Sequence, residues 1–143
     1  MNGLSCTFFG HRDCSESIIP ELYRAVEDLI VSKKCTVFYV GNHGNFDRFV
    51  SKVLDDLKQI YKIKCCVILA YMPTDKNMSY RHETVLPDGI EAKPKKYAIT
   101  YRNRWMVEKS DVVITYVKNN FGGAAQFKEY AIKKKKTVIE LYK

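Results

Sequence analysis

Apolar positions along the chain switch between two periods. Leu4 to Phe9 is a short continuous apolar run ending at Gly10, and after a polar stretch Ile18, Ile19, Leu22, Tyr23, Val26, Leu29 and Ile30 recur at helical spacing. The same order repeats: Thr36 to Val40 is rich in strand formers and stops at Gly41, after which Phe46, Phe49, Val50, Val53, Leu54, Leu57 and Ile60 form a second helical stripe. Cys65 to Tyr71 is a third strand. Met72 to Pro94 has no clear period and carries a Pro-Asp-Gly turn at Pro87 to Gly89. So long a connection in a compact domain is expected to cover or flank a site.

Tyr97 to Lys109 then predicts a helix with Ala98, Tyr101, Trp105 and Met106 inward, and Asp111 to Val117 a fourth strand. Val112, Val113 and Ile114 are apolar on both faces, as a central parallel strand requires. A helix from about Ala124 to Lys135 and a last strand from Thr137 to Leu141 complete the pattern. Alternating strands and helices with continuous apolar strands predict a three-layer α/β domain around a mainly parallel sheet of about five strands. The length of 143 residues fits one such domain.

Composition narrows the function classes. The apolar runs are strand-sized, far short of the ~20 residues a membrane span needs, and Leu4 to Phe9 reads as structure and not as an export signal. A cytoplasmic location is expected, without membrane association. The five cysteines (Cys6, Cys14, Cys35, Cys65, Cys66) include no Cys-x-x-Cys and fall mostly in apolar runs, as reduced core residues do. Cys14, beside Arg12 and Asp13, is the one whose thiolate a neighbour could favour, although an inert structural cysteine is the commoner case. The net charge of +8 favours anionic ligands or polyanions over cationic substrates. Part of it is Lys133 to Lys136, a run without interleaved aromatics that reads as a solvated helix end. His11, His43 and His82 show no metal-ligand spacing, so neither metal nor cofactor is expected.

In an open parallel sheet, ligands bind outside the carboxyl ends of the strands. Three loops there pair glycine with polar side chains: Gly10-His11-Arg12-Asp13, Gly41-Asn42-His43-Gly44-Asn45-Phe46-Asp47, and Asn119-Asn120-Phe121-Gly122-Gly123. Gly122 and Gly123 precede a helix whose amides and dipole suit a phosphate; the alternative is a plain turn using glycine for positive φ. Arg12 can clamp phosphate and His11 can bond a sugar or phosphate oxygen, a run without evident packing use, unless Arg12 pairs with Asp13 or Glu16. Asp47 is placed to cap the following helix or to hold a ribose hydroxyl, capping being the commoner duty, while Gly41 and Gly44 shape the backbone beside the ligand. Arg102, with Asn103 and Arg104, faces either the site or water.

Taken in order, Gly10-His11-Arg12, Gly41-x-x-Gly44-x-x-Asp47, Arg102-Asn103-x-x-Met106-x-x-x-Ser110-Asp111 and Gly122-Gly123 resemble the SLOG superfamily. This Rossmann-like group is named for the SMF/DprA DNA-processing proteins and the LOG phosphoribohydrolases. The resemblance covers most of the chain and is greatest to the small single-domain members of bacteria and their phages, with a GHR-type first loop. It implies a binding site for a nucleotide-derived ligand, used for sensing or sequestering, with Asn42, Asn120 and Gln126 beside the glycines, and a homo-oligomer such as a dimer, to which the aromatic stretch from Tyr97 to Trp105 can contribute. LOG enzymes hydrolyse a nucleotide N-glycosidic bond with an arginine and a glutamate, and Arg102 and Glu129 fall on those positions. The segment Phe121 to Glu129 departs from the LOG pattern by losing its proline, third glycine and threonine. Glu129 serves as a general base under that resemblance, or pairs with Lys133 on the helix surface. Single-stranded DNA binding is the third implied role, through the SMF/DprA branch.

Overall fold

The computed structural model describes residues 3–71 and 82–142. Its elements run β1 (Leu4–Gly10), α1 (Ile19–Lys33), β2 (Cys35–Val40), α2 (Gly44–Lys58), β3 (Lys64–Ile68), β4 (Glu83–Val85), α3 (Lys95–Lys109), β5 (Val112–Tyr116), α4 (Gly123–Lys133) and β6 (Thr137–Glu140). The sheet has six strands in the order β4-β3-β2-β1-β5-β6, every described pairing parallel. The expected strand number of about five is thus corrected to six. The extra strand, Glu83–Val85, lies in the long connection and is too short to show a period; it forms by edge pairing, Cys66 opposite Glu83 and Ile68 opposite Val85. The remainder of the expected excursion, residues 72–81, lies outside the described residues.

Strand alternation sends side chains to two helical layers. Cys6, Phe8, Phe38, Cys65, Val67, Val112 and Ile114 pack with Leu22 and Val26 of α1 and Val50, Val53 and Leu57 of α2. Phe9, Cys66, Ile68 and Val113 turn the other way, against Met106 and Val107 of α3 and Phe127 and Ala131 of α4. Both faces of the central strands are therefore buried, which is why they read as unbroken apolar runs. All five cysteines are free and buried within these layers. Cys14 takes the inert course: burial first, then Asp13 and Asp47, push its thiol up to about 11. No helix among the described residues is long and apolar enough to cross a membrane.

Chain order and strand order diverge at β1. The chain moves outward through β2, β3 and β4, then returns to place β5 on the other side of β1. The loops after β1 and β5 consequently lead to opposite layers, opening a crevice at the carboxyl ends of the central strands. Gly10 closes β1 there, and a Cβ on it would lie 2.3 Å from the Phe46 ring. Gly10→Ala is expected to destabilise the protein by about 1–3 kcal/mol through overpacking; a double-mutant cycle with Phe46→Leu, followed by urea unfolding, should reveal strong coupling, and additive effects would refute this contact.

Candidate functional site

A cleft of about 260 Å³ opens at this crevice, its walls including Gly10, Arg12, His43, Asp47, Arg102, Asn103, Gly123 and Ala124. The end of β1, the loops after β1 and β2, the starts of α2 and α4 and one face of α3 build it. The first two loops are fastened together: the Asn45 amide donates to the Arg12 carbonyl at 2.8 Å, and Gly44, at φ +86°, has the Arg12 Cα 2.7 Å from where its Cβ would stand. Only glycine fits there, for conformation and for space. His11 fastens the first loop to the segment after β5, its Nε2 accepting the Lys118 amide at 2.7 Å. The Gly-His-Arg run therefore does have a packing use, at two of its three positions: Gly10 makes room for Phe46 and His11 ties the loops.

Arg102 faces the site. It is 3% exposed, on the inward row of α3 between the buried Ala98 and Met106. Its Nε donates to Asn103 Oδ1 at 2.9 Å, while Nη1 reaches Asn42 Oδ1 at 3.0 Å, His43 Nδ1 at 3.3 Å and the Ile68 carbonyl at 3.3 Å. The second terminal nitrogen, Nη2, makes no hydrogen bond among the described residues, and no carboxylate there is in ion-pair contact with the guanidinium. Burial lowers its pKa and the nearby Asp47 opposes that shift. Burial first, then Arg102 and Arg12, lower the pKa of His43 and favour its neutral form; toward Arg102, which only donates, its Nδ1 serves as an acceptor.

Asp47 Oδ2 accepts the His43 amide at 3.0 Å. The N-cap residue of α2 is His43, not Asp47; Asp47 sits in the first turn and reaches back to the N-cap amide, as the acid of a capping box does. The carboxylate is nonetheless on the wall of the cleft. A Cβ on Gly41 would lie 2.7 Å from Asp47 Oδ2 and 3.2 Å from Arg102 Nη1, so Gly41 is the gap through which acid and base approach each other. Burial outweighs the His43 amide, Arg102 and Arg12, and raises Asp47 from 3.8 to about 6.

Helix α4 begins at Gly123 with no side-chain cap; Gly122, its N-cap, has φ +93°. Space around both glycines is open to an approaching ligand, with nothing within 4 Å of an added Cβ. Arg12 is exposed on the rim and makes no ion pair with Asp13 or Glu16 among the described residues. The other expected residues go elsewhere. Asn120 and Glu129 line a separate cleft of about 350 Å³ with Lys118 and Lys128, Glu129 makes no ion pair with Lys133, and Gln126 is exposed on α4. Arg102 and Glu129 thus line different clefts.

The fold is similar to that of DNA processing protein A. The X-ray structure of DprA from Streptococcus pneumoniae matches with a TM-score of 0.68 at 15% identity, over 96% of this chain and 50% of the DprA chain. The chain spans half the length of DprA, and the Rossmann-like α/β fold expected from the SLOG resemblance is the fold the two share. No family model matches the sequence, and no curated protein sequence does.

Two residues of the crevice escaped the sequence reading: His43 and Asn103, both bonded to Arg102. The signal for Asn103 was its place beside Arg102. For Arg102 itself it was the row Ala98, Arg102, Met106 at four-residue spacing, an arginine between two core positions.

The raised pKa of Asp47 sets a pH dependence. Its folded value, about 6, lies above the unfolded 3.8, so ionisation costs the folded state; the cost is absent below the lower value and grows to its full size as pH rises through the higher. The charged groups facing it are Arg102 from α3 and Arg12 from the first loop, with neutral His43 alongside. Asp47→Asn is expected to stabilise the protein at pH 7 and to lose that gain as pH falls to 4, measured by urea unfolding across the range; a gain independent of pH would contradict the shift.

Proposed function

We propose that the chain is a SLOG-type module that binds a phosphate-bearing nucleotide or nucleotide derivative at the carboxyl edge of its sheet and senses or sequesters it. One observation carries this reading: a buried guanidinium, Arg102, lines the cleft with no carboxylate in contact and one terminal nitrogen unbonded. Ser110 Oγ is the one fully buried side-chain polar atom without a partner among the described residues, so the free Arg102 nitrogen is open to the cleft, where an anion that meets it gains a charge-assisted hydrogen bond. The uncapped start of α4 on the same cleft adds amide donors and the positive end of a helix dipole. The DprA-like fold puts its strand-end crevice where this class of sheet takes ligands. Separation of Arg102 from Glu129 favours binding over hydrolysis by that pair.

A panel of nucleoside mono-, di- and triphosphates, cyclic nucleotides, ADP-ribose and NAD in a thermal-shift assay tests the proposal. A ligand at about 100 times its Kd should add about 2.7 kcal/mol. Arg102→Met and Gly123→Asp should fold and lose that stabilisation. Stabilisation retained in both variants would refute the site.

A second reading, single-stranded DNA binding, is favoured by the rim. Phe121 is 72% exposed and Tyr142 44%, and Lys118 lies over the rings of Tyr116 and Tyr142. Exposed rings beside cations suit bases beside phosphates. The run Lys133 to Lys136, by contrast, lies at the amino end of β6, away from the cleft. Oligo-dT should bind in fluorescence anisotropy, weaken steeply between low and physiological salt, and weaken in Phe121→Ala; no binding at low salt removes this reading.

A further inference from the structure

Two residues lining the same cleft each carry a polar atom without a protein partner, and the two atoms are of opposite kind. Arg102 Nη2 makes no hydrogen bond among the described residues, and since it is not a fully buried unpaired atom it is open to the cleft, although the residue as a whole is 3% exposed. Asp47 spends Oδ2 on the His43 amide, and its Oδ1 has no hydrogen-bond partner among the described residues. The two groups converge beside Gly41 without touching as an ion pair. Among the cleft's lining residues Asp47 is the one acid, set with Arg12, His43 and Arg102.

This pairing dictates what a ligand must bring. A bare anion satisfies Arg102 and the start of α4 but meets like charge at Asp47 and leaves Oδ1 unpaired, which costs affinity. An anion whose neighbouring atoms carry a hydrogen-bond donor satisfies both. Resting on the phosphate-binding reading above, we propose that Asp47 is a specificity-determining residue: it accepts a sugar hydroxyl, so that the cleft selects ribose phosphates, such as ribonucleoside 5′-monophosphates, and rejects anions that lack a donor. The bond to the His43 amide takes Oδ2 and leaves Oδ1 for this task. One residue thus both starts α2 and reads the ligand.

The test exploits a prediction of opposite signs from one substitution. The four ribonucleoside 5′-monophosphates, their 2′,3′-dideoxy counterparts and sulfate are titrated into the parent protein, Asp47→Asn and Arg102→Met by calorimetry. Asparagine keeps an acceptor for the His43 amide, so the fold is retained, and circular dichroism checks it. The parent should bind at least one ribonucleotide about tenfold more tightly than its dideoxy form, the order of a hydrogen bond to a charged group. In Asp47→Asn that ratio should fall severalfold while sulfate binds more tightly, because a repelling charge has gone. A merely structural Asp47 would weaken all ligands together. An unchanged ratio in Asp47→Asn, or weaker sulfate binding, overturns the assignment. If sulfate binds the parent and not Arg102→Met, yet ribose and dideoxyribose forms bind alike, the hydroxyl proposal falls and the anion site stands. If neither sulfate nor any nucleotide binds the parent, both fall.

Discussion

A guanidinium in a protein interior must be surrounded by acceptors or it will not stay there. Arg102 meets that demand with neutral groups: two asparagine oxygens, an imidazole nitrogen and a main-chain carbonyl. The choice has consequences for the whole carboxyl edge. The loop after β2 must curl so that Asn42 and His43 reach the arginine, Gly41 must lack a side chain so that the approach is possible, and α2 must start where Asp47 can return to His43. The end of β3 is fixed as well, because its last carbonyl, that of Ile68, is one of the acceptors. A carboxylate in direct contact would have solved the electrostatic problem more simply and left the cleft neutral. The solution used here keeps a net positive field in the crevice.

The amino-acid pattern disclosed the layers more fully than the site. Continuous apolar strands and stripes at helical spacing are produced by burial of whole faces, and burial of the sheet by α1 and α2 on one side and α3 and α4 on the other is what the fold consists of. Glu83–Val85 was hidden because a three-residue edge strand is held by main-chain hydrogen bonds, which leave no side-chain signature. The glycines were legible as special positions but not as to cause. Gly10 yields to the Phe46 ring, Gly41 to Asp47 and Arg102, Gly44 to the backbone of Arg12, and only Gly122 and Gly123 face open space. Sequence shows that a Cβ is absent; what occupies its volume is a tertiary fact.

The same holds for the polar candidates. Asp47 was weighed between capping and ligand contact as though these excluded each other, whereas its two oxygens allow one to be used by the helix start and the other to remain open. Glu129 matched a catalytic position by alignment of segments, yet α4 turns it away from Arg102 toward Lys118, Asn119 and Asn120. Position along a helix fixes direction, and a single register decides which cleft a side chain serves. His43 had no partner in sequence because its partners come from α3 and from Tyr71 beyond β3, against whose ring it stands edge-on at 6.3 Å.

The bond from the Asn45 amide to the Arg12 carbonyl, with Gly44 pressed on the same residue, makes one body of two loops that are distant in sequence. Flexible loops lose entropy when they close on a ligand, and that loss subtracts from affinity. A rim already fused has little left to lose. It also constrains descent: an insertion in either loop would break the seam unless the other changed with it, so the two segments are bound to diverge together or not at all.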